Sequence, residues 1–416
     1  MISACRLTAV LCLALILGAS PPAHSKSLGS VIFLRASGDA LLSPTDVLEK
    51  NLDTGKTIVL ISHESLPADF KTIIDSITPS PDGKYLYFSG SSGMVFRNKT
   101  TGETRTVLGG TFSFGGEEEL IASIDKSDWY WERGKSVTRI DPPSDCTGDR
   151  WYSDELKGRM QWSPKSNLLL GRRDLGRRPY PACLYLYDTA TRSARKLCSI
   201  QNLDIAIWSA DGNGVITVES TPKRKGSHLS YLPLKGKSRR LFDWPRYVWG
   251  VAESPDGSDF VISDEKGFYL VRRGGRQASK LRVPTGEGSF DASFQFNKGG
   301  DRLAILVSSW SGEPRLSLDQ QLWVVDTKSR RADRVVRWVE FFQGSDPATE
   351  RRMQGWLPDG KTVVIVGAIS YGEKPVDNAN DWFKLWLYDT QLRSGKGDEV
   401  FDSGKRCLGV AWWLAR

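Results

Sequence analysis

Two short turn phrases alternate along almost the whole chain, and no other feature of the sequence constrains the fold as strongly. The first phrase has the form Ser-Pro-Asp-Gly. It recurs with variations at 80–84, 163–167, 209–213, 254–258 and 357–361, in a degenerate form at 296–301 and more weakly at 114–118. Proline followed by Asp-Gly favours a tight turn because glycine readily adopts positive φ. A β-branched or aromatic run follows each copy, so each phrase is predicted to join two strands.

The second phrase has Tyr-Asp-Thr as its clearest form, and an alternating strand precedes it each time. Its eight copies are at 51–55, 98–102, 131–134, 187–190, 232–236, 271–274, 325–328 and 388–391. Thr54 and Thr390 are separated by 336 residues and seven repeats, which gives 48 residues per repeat. Four short strands every 40–50 residues is the period of a propeller blade. TIM barrels and Rossmann folds are excluded because no helical periodicity separates the strands.

The two ends of the repeat array complement each other. Residues 31–62 supply only three strands of a blade, and residues 407–413 (CLGVAWW) are predicted to form a lone strand. Pairing that strand with residues 31–36 would close the ring and remove the open sheet edges. We predict an all-β fold, a single β-propeller of eight blades. Seven blades is the alternative if the degenerate 106–140 region is not a blade of its own.

The first 25 residues are typical of a secretory signal peptide. Arg6 precedes an apolar run of 13 residues, Leu7–Ala19, and small residues follow at Ala23 and Ser25. The run is too short to span a membrane, so cleavage after Ser25 is expected. The predicted organisation is therefore a signal peptide over 1–25 and a propeller domain over 26–416. We expect a monomer in the periplasm or outside the cell, with no transmembrane segment in the mature chain.

The repeated phrases resemble a known family. Ser80-Pro-Asp-Gly-Lys84 before YLYF, and KLWLYDT at 384–390, resemble the WD40-like PD40 repeats of TolB-type propellers. Similar repeats occur in the propeller halves of prolyl-oligopeptidase-type peptidases. The resemblance covers residues from about 30 to 416 and implies a propeller fold and an envelope partner. TolB proteins carry an additional α/β domain before the propeller, and the peptidases carry an α/β-hydrolase domain. We expect neither domain in this chain.

The predicted loops indicate where a partner would bind. If the Ser-Pro-Asp-Gly and Asp-Thr turns share one face of the propeller, all the longer segments fall on the other: 141–157, 174–182, 222–227, 242–249, 310–320, 340–352 and 371–382. Loops on a rigid scaffold commonly carry recognition, and aromatic residues with arginine are frequent in binding hot spots. The candidate ligand-binding residues are Arg177, Arg178, Tyr180, Trp310, Arg315, Tyr371 and Trp382. Trp249 and Phe342 are predicted to pack between blades.

The basic residues of these loops suggest a second, electrostatic feature. Arg172 and Arg173 precede Arg177 and Arg178, and the 223–225 segment is Lys-Arg-Lys. Together they could attract an anionic partner. A nucleic-acid partner is not expected, since the chain has no base-reading motif and is predicted to be exported.

Catalytic and metal-binding motifs are scarce. There is no Gly-x-Ser-x-Gly and no P-loop, and the mature chain has only His63 and His228. Asp377, Asn378, Asn380 and Asp381 are weak calcium candidates because their spacing departs from the usual ligand pattern. No catalytic residue and no cofactor is predicted. The favoured function is therefore a non-catalytic scaffold that binds a protein, a peptide or an envelope polymer.

The alternative function is a propeller hydrolase or lyase that acts on a glycan or a peptide. It would use carboxylates of the long loops, and two such groups could form a glycosidase pair. The candidates are Asp154, Glu155, Glu313, Asp377 and Asp381.

The cysteines of the predicted mature chain are Cys146, Cys183, Cys198 and Cys407. Exported thiols tend to pair. Cys183 and Cys198 flank the hairpin around Tyr187–Ala190 symmetrically, so we predict a cross-strand disulfide between them. The sequence gives no argument for pairing Cys146 or Cys407.

Overall fold

The structure is a computed structural model. It describes residues 27–36, 45–65, 74–79, 85–90, 93–99, 101–107, 112–114, 119–123, 129–133, 136–146, 161–174, 181–221, 223, 225–275, 277–285, 290–311, 316–342, 347–371, 382–391, 396–403 and 407–413. Over these ranges all regular structure is β-strand apart from one 3₁₀ turn, His63–Ser65. The all-β prediction is confirmed. The predicted signal peptide lies outside the described residues.

The strands follow one another along the chain with short connections. The first sixteen are β1 (Ser30–Ala36), β2 (Thr45–Asn51), β3 (Thr57–Ile61), β4 (Ile74–Pro79), β5 (Tyr85–Gly90), β6 (Gly93–Asn98), β7 (Thr104–Val107), β8 (Phe112–Phe114), β9 (Glu119–Ser123), β10 (Trp129–Arg133), β11 (Ser136–Ile140), β12 (Gln161–Trp162), β13 (Leu168–Asp174), β14 (Ala182–Asp188), β15 (Ser193–Ile200) and β16 (Leu203–Trp208). The others are β17 (Gly214–Ser220), β18 (Ser227–Pro233), β19 (Arg239–Trp244), β20 (Gly250–Glu253), β21 (Asp259–Asp264), β22 (Gly267–Arg272), β23 (Ala278–Lys280), β24 (Phe290–Phe296), β25 (Arg302–Ser311), β26 (Leu316–Asp326), β27 (Ala332–Phe342), β28 (Pro347–Trp356), β29 (Thr362–Tyr371), β30 (Trp382–Asp389), β31 (Asp398–Asp402) and β32 (Cys407–Trp413).

Within the described ranges these strands form eight four-stranded antiparallel sheets. Seven sheets contain four consecutive strands each, from β4–β7 to β28–β31. The remaining sheet has the order β3-β2-β1-β32, and β32 pairs with β1 from Ser30↔Trp413 to Arg35↔Cys407. The degenerate region near residues 106–140 contains β8–β11, which form a sheet of their own.

Wherever the structure describes both repeated phrases of a sheet, they lie side by side at one end of that sheet. Ser-Pro-Asp-Gly turns join the first strand to the second, and Asp-Thr turns join the third to the fourth. Thr390 of the Asp-Thr turn donates from its backbone N–H (2.9 Å) and from Oγ1 (2.6 Å) to the carbonyl oxygen of Lys361 in the Ser-Pro-Asp-Gly type turn. Thr327 donates in the same way to the carbonyl oxygens of Asp301 and Gly300. This contact explains why the phrases recur together.

The Ser-Pro-Asp-Gly turn at 254–258 is held by its own side chains. Ser254 Oγ and the backbone N–H of Ser258 donate to Oδ1 of Asp256, at 2.6 and 3.1 Å. These hydrogen bonds lower the pKa of the Asp256 carboxyl. Gly257 has φ +70°, a conformation that other residues adopt only with strain. We name this end of the sheets the tight-turn end, and the opposite end the long-loop end.

The hydrophobic core lies between consecutive sheets. One buried cluster joins residues of β16–β19 to residues of β20–β23, and another joins β20–β23 to β24–β27. A third cluster packs Val31, Phe33 and Leu48 of the first sheet against the sheet of β28–β31. The rings of Phe33 and Phe401 lie 5.2 Å apart in that cluster. The sheets therefore pack face to face, and the first sheet in the chain packs against the last.

The first strands of consecutive sheets form the inner edges of this arrangement. Trp208 Nε1 of β16 donates to the Gln161 carbonyl of β12 at 2.9 Å. Trp356 Nε1 of β28 donates likewise to the Gln295 carbonyl of β24 at 3.1 Å. These bonds satisfy backbone groups that the edge of a sheet leaves unpaired.

The predicted disulfide between Cys183 and Cys198 is wrong. Cys183 is bonded to Cys146, with their Cα atoms 5.7 Å apart, and Cys198 is a free thiol. The physical reason is a β-bulge between Leu184 and Tyr185, which pairs Leu184 rather than Cys183 with Cys198. Neighbouring residues of a strand point to opposite faces. Cys183 accordingly packs on one face of the sheet and Cys198 on the other.

Candidate functional site

The structure places only part of the predicted ligand site. Arg177, Arg178, Tyr180, Arg315 and the calcium candidates Asp377, Asn378, Asn380 and Asp381 lie outside the described residues. Trp310 is next to last in β25, Tyr371 ends β29, and Trp382 begins β30. All three therefore lie at the long-loop end of two consecutive sheets. Their side chains are outside the described part of the structure.

The best-defined feature of the long-loop end is the segment from Trp244 to Trp249, which leads from β19 into β20. Its first part is fixed by Asp264, whose side chain is fully buried. Oδ2 of Asp264 accepts hydrogen bonds from Trp244 Nε1 (2.9 Å) and Arg246 Nε (2.5 Å). The Arg246 guanidinium also lies 5.5 Å from the ring centroid of Trp244 and 5.2 Å from that of Tyr269. Burial and pairing thus hold this part of the segment in place.

Each residue in the second part of the segment, from Tyr247 to Trp249, donates a hydrogen bond. The Tyr247 hydroxyl donates to Oδ1 of Asp204 on β16 at 3.1 Å. The backbone N–H of Val248, a buried residue, donates to Ser227 Oγ at 3.1 Å. The backbone N–H of Trp249 donates to the Ser263 carbonyl at 2.9 Å. The Trp249 side chain, in contrast, is 43% exposed.

Trp249 lines a pocket of about 410 Å³ at the inner edges of three consecutive sheets. We call it the Trp249 pocket. Its wall is formed by Ile205 of β16, by Trp249, Gly250 and Val251 at the start of β20, by Ser263 of β21, and by Phe290, Asp291, Ala292 and Phe294 of β24. These residues of β20 and β24 lie at or near the points where those strands begin. The pocket therefore belongs to the long-loop end.

Aromatic packing supports one side of the pocket. The Trp249 ring lies 5.1 Å from that of Phe290, which lies 5.6 Å from the buried ring of Phe268. Gly250 allows this packing because a Cβ there would lie 2.9 Å from the Phe294 ring and from Ser263 Oγ. The indole of Trp249 is thus presented from a rigid base, which is the arrangement that lowers the entropic cost of binding.

Carboxylates are the charged groups nearest to this wall. Asp291 is exposed, and its Oδ1 accepts a hydrogen bond from the backbone N–H of Ala292 at 2.8 Å. Asp204 precedes Ile205, and its buried Oδ2 has no hydrogen-bond partner in the described residues. Arg172 donates to the carbonyl oxygens of Leu203 and Asp204, at 2.8 and 3.0 Å, and so covers the edge of β16. The site consequently combines aromatic surface with negative charge.

Trp249 was predicted to pack between blades. Its ring does contact Phe290 of the next sheet, at 5.1 Å, but 43% of the side chain is exposed. The sequence did not predict its position at the inner edge of the sheets. That position follows from three neighbouring first strands, β16, β20 and β24, which no local pattern specifies.

No group of three or more His, Cys, Asp or Glu side chains among the described residues could hold a metal ion. No helix in the described part of the chain has the length and apolar character needed to cross a bilayer.

Consecutive four-stranded antiparallel sheets, packed face to face with their first strands inside, define a β-propeller. Comparison with solved structures supports this class. Porphyromonas gingivalis dipeptidyl peptidase 4 is similar with a TM-score of 0.57 and 11% identity, over 92% of this chain and 60% of that one. A eukaryotic initiation factor is similar with a TM-score of 0.55 and 10% identity, over 92% and 98%. At these identities the likeness concerns the fold alone.

A weaker likeness is to TolB from Acinetobacter baumannii, with a TM-score of 0.38 and 14% identity, over 74% of this chain and 63% of that one. This score is too low to support an argument about function. No protein-family model matches the chain, and no curated protein matches its sequence.

Proposed function

We propose that the mature chain is an exported propeller of eight blades, residues 26–416, closed by the pairing of β1 with β32. The face-to-face packing of Val31 and Phe33 against the sheet of β28–β31 supports a closed ring. Export rests on the signal-peptide pattern of residues 1–25. The PD40-type phrases fit the same proposal, since they build the tight turns of the blades.

We propose that this propeller is a non-catalytic binding scaffold for a protein, a peptide or an envelope polymer in the periplasm or outside the cell. The observation that carries the proposal is the Trp249 pocket. An exposed tryptophan is held at the inner edge of three sheets by a segment in which Arg246, Tyr247 and Val248 are each hydrogen-bonded to neighbouring strands or loops. Exposed aromatics on rigid supports are the usual anchors of binding interfaces.

The predicted contact residues would extend this site outward. Trp310 follows Ser309, which pairs with Phe290 of the pocket wall, so its backbone lies one strand from the pocket. Tyr371 and Trp382 lie at the corresponding end of the next sheet. Arg177, Arg178, Tyr180 and Arg315 complete the proposed contact surface.

A pull-down from envelope extract tests this function. The wild-type mature chain, Trp249→Ala and the triple variant Trp310→Ala/Tyr371→Ala/Trp382→Ala would be compared under identical loading. Ile58→Ala/Val59→Ala is the matched control, because these residues are exposed apolar side chains on the outer strand β3. We expect the control to recover the partners of the wild type and the other two variants to lose them.

Equal recovery by all four proteins would refute the placement of the site. Cleavage of a glycan or peptide library by the purified wild-type chain would refute the non-catalytic function. Amino-terminal sequencing of the secreted product tests export, and we expect the mature chain to begin at Lys26.

A further inference from the structure

The wall of the Trp249 pocket has the opposite charge to the chain as a whole. The sequence contains 57 Lys and Arg against 49 Asp and Glu. The described wall residues nevertheless include the carboxylate of Asp291 and no lysine or arginine. The negative charge of this pocket is therefore a local feature, and it favours a cationic ligand over an anionic one.

Two basic side chains near the pocket make contacts with other groups. Arg246 forms an ion pair with the buried carboxylate of Asp264 at 2.5 Å. Arg172 donates to two backbone carbonyl oxygens of β16. Asp204, whose side chain accepts a hydrogen bond from Tyr247, is a second carboxylate one residue from the wall residue Ile205. Among the described residues at this wall, the charged group is therefore the exposed carboxylate of Asp291.

The rest of the wall suits an aliphatic stem beneath a cation. Ile205, Val251 and Ala292 are apolar, and Trp249 presents an exposed ring face. A cation above an aromatic ring is attracted by the ring quadrupole, and tryptophan is the strongest such partner. A neutral sugar would also stack on Trp249, but among the described wall residues only Ser263 and Asp291 offer polar side chains for its several hydroxyl groups.

We propose that the Trp249 pocket binds a lysine side chain of a peptide or protein partner. The ammonium group would lie between the Trp249 ring and the Asp291 carboxylate, and the methylene stem would lie along Ile205, Val251 and Ala292. This inference rests on the proposed binding function and specifies the chemistry that the site recognises.

The test is a titration of the mature chain with short peptides, followed by ligand-observed NMR. The probes are acetyl-Gly-Lys-Gly-amide, the same peptide with norleucine in place of lysine, n-butylamine and methyl glucoside. Norleucine keeps the methylene stem and removes the charge. We expect the lysine peptide to bind at least tenfold more tightly than the norleucine peptide and the glucoside, and more tightly than butylamine.

Variants of the pocket make the same experiment specific to this site. Trp249→Ala should lower the affinity for the lysine peptide about tenfold. Trp249→Phe should lower it less, because phenylalanine keeps an aromatic face. Asp291→Asn should lower the affinity for the lysine peptide about threefold, as expected for the loss of an exposed charge pair. Val339→Ala and Asp398→Asn are matched controls at exposed positions outside the pocket, and should leave the affinity unchanged. Near-ultraviolet circular dichroism verifies that each variant is folded.

Equal binding of the lysine and norleucine peptides, or no binding of either, would overturn the proposed ligand. An unchanged affinity in Trp249→Ala would overturn its location, and butylamine binding as tightly as the peptide would overturn the peptide source. These outcomes are distinct from failure of the proposed function. The proposed placement of the binding site fails if Trp249→Ala and the triple variant recover the same envelope partners as the wild type, and the non-catalytic function fails if the wild type cleaves a glycan or peptide library.

Discussion

Asp264 is the residue on which the geometry of the Trp249 pocket depends most directly. Its buried carboxylate accepts hydrogen bonds from Trp244, Arg246 and the backbone N–H of Lys266, the last at 2.7 Å. A buried charge that loses its cationic partner is strongly destabilising because desolvation is no longer offset. The pocket is therefore supported by an interaction whose loss would lower the free energy of unfolding of the protein.

Arg246→Gln is expected to lower the free energy of unfolding by about 2 kcal/mol, below the usual range for a buried pair because Arg246 remains partly exposed. Urea denaturation measures this change. Arg272→Gln is the control, since Arg272 is exposed and lies 3.9 Å from its partner Asp259, and it should change stability by less than about 0.5 kcal/mol. Equal effects of the two substitutions would contradict the supporting role of Arg246.

Glu253 gives a prediction about pH. Burial raises the pKa of its carboxyl above the ordinary value of 4.5, although the backbone N–H of Ala210 and the guanidinium of Arg273 oppose the shift. A raised folded-state pKa means that the protonated form is favoured in the native state. The stability contribution is thus complete below about pH 4.5 and is lost as the pH rises through the folded-state pKa.

Urea unfolding of the wild type and Glu253→Gln from pH 4 to pH 8 tests this sign. The stability of the wild type relative to the variant should fall as the pH rises. A relative stability that rises over the same interval would show that the ion pair with Arg273 outweighs burial.

At the scale of single elements, the hairpin β14–β15 shows what the sequence could and could not predict. Its strands and its turn at Tyr187–Ala190 could be predicted from the alternation of apolar and polar residues and from the turn residues, which are local properties. The disulfide partner of Cys183 could not be predicted in this way, because one β-bulge places Cys183 and Cys198 on opposite faces of the sheet. The exposure of Trp249 could not be predicted for a related reason: it is decided by the meeting of three sheets, and not by its own segment.

The Cys146–Cys183 bond ties the segment after β11 to the third strand of the next sheet. Reduction should lower the free energy of unfolding by about 4 kcal/mol, given the length of the loop that the bond closes. Cys146→Ala/Cys183→Ala should show the same loss, whereas Cys198→Ala should show little. Non-reducing peptide mapping should find Cys146 linked to Cys183.

The free thiol should be slow to react in the same mapping experiment. Burial, followed by the nearby Glu219 carboxylate, raises the pKa of Cys198 to about 11. Because the thiolate is the reactive form, we expect the thiol to be alkylated more slowly at pH 8 in the native chain than in the denatured chain. Equal alkylation rates in the two states would contradict the raised pKa of this partly buried thiol.

The contact between β26 and β28 shows how consecutive sheets are joined. Gln320 is buried, and its side-chain amide pairs with both backbone groups of Arg351: Nε2 donates to the carbonyl oxygen and Oε1 accepts from the N–H, each at 2.8 Å. Gln320→Ala would leave both backbone groups of Arg351 without these partners. It should lower the free energy of unfolding by about 2 kcal/mol. Gln354→Ala, an exposed change on β28, is the control for urea denaturation and should be neutral.

At the scale of the whole molecule, the pairing of β32 with β1 joins the two ends of the described chain. Deleting residues 407–416 would expose the full edge of β1, whose residues Val31, Ile32 and Leu34 are buried. An exposed apolar edge strand promotes aggregation. We expect the truncated chain to lose cooperative unfolding and to elute as aggregate in size-exclusion chromatography.

Deletion of residues 414–416 alone is the matched control, since it leaves β32 intact. We expect that chain to elute as a monomer. A monomeric, cooperatively folded product of the longer deletion would show that the fold does not depend on this pairing.

The same pairing also sets the order in which the molecule can be completed during synthesis. Of the described strands β1 is synthesised first, and 370 residues lie between it and its partner β32. Contacts of such long sequence separation form slowly because the intervening chain must first be ordered. The other seven sheets can each assemble from consecutive strands as they emerge. The sheet that contains both ends must therefore be the last to form, and until then the edge of β1 is available to other partners.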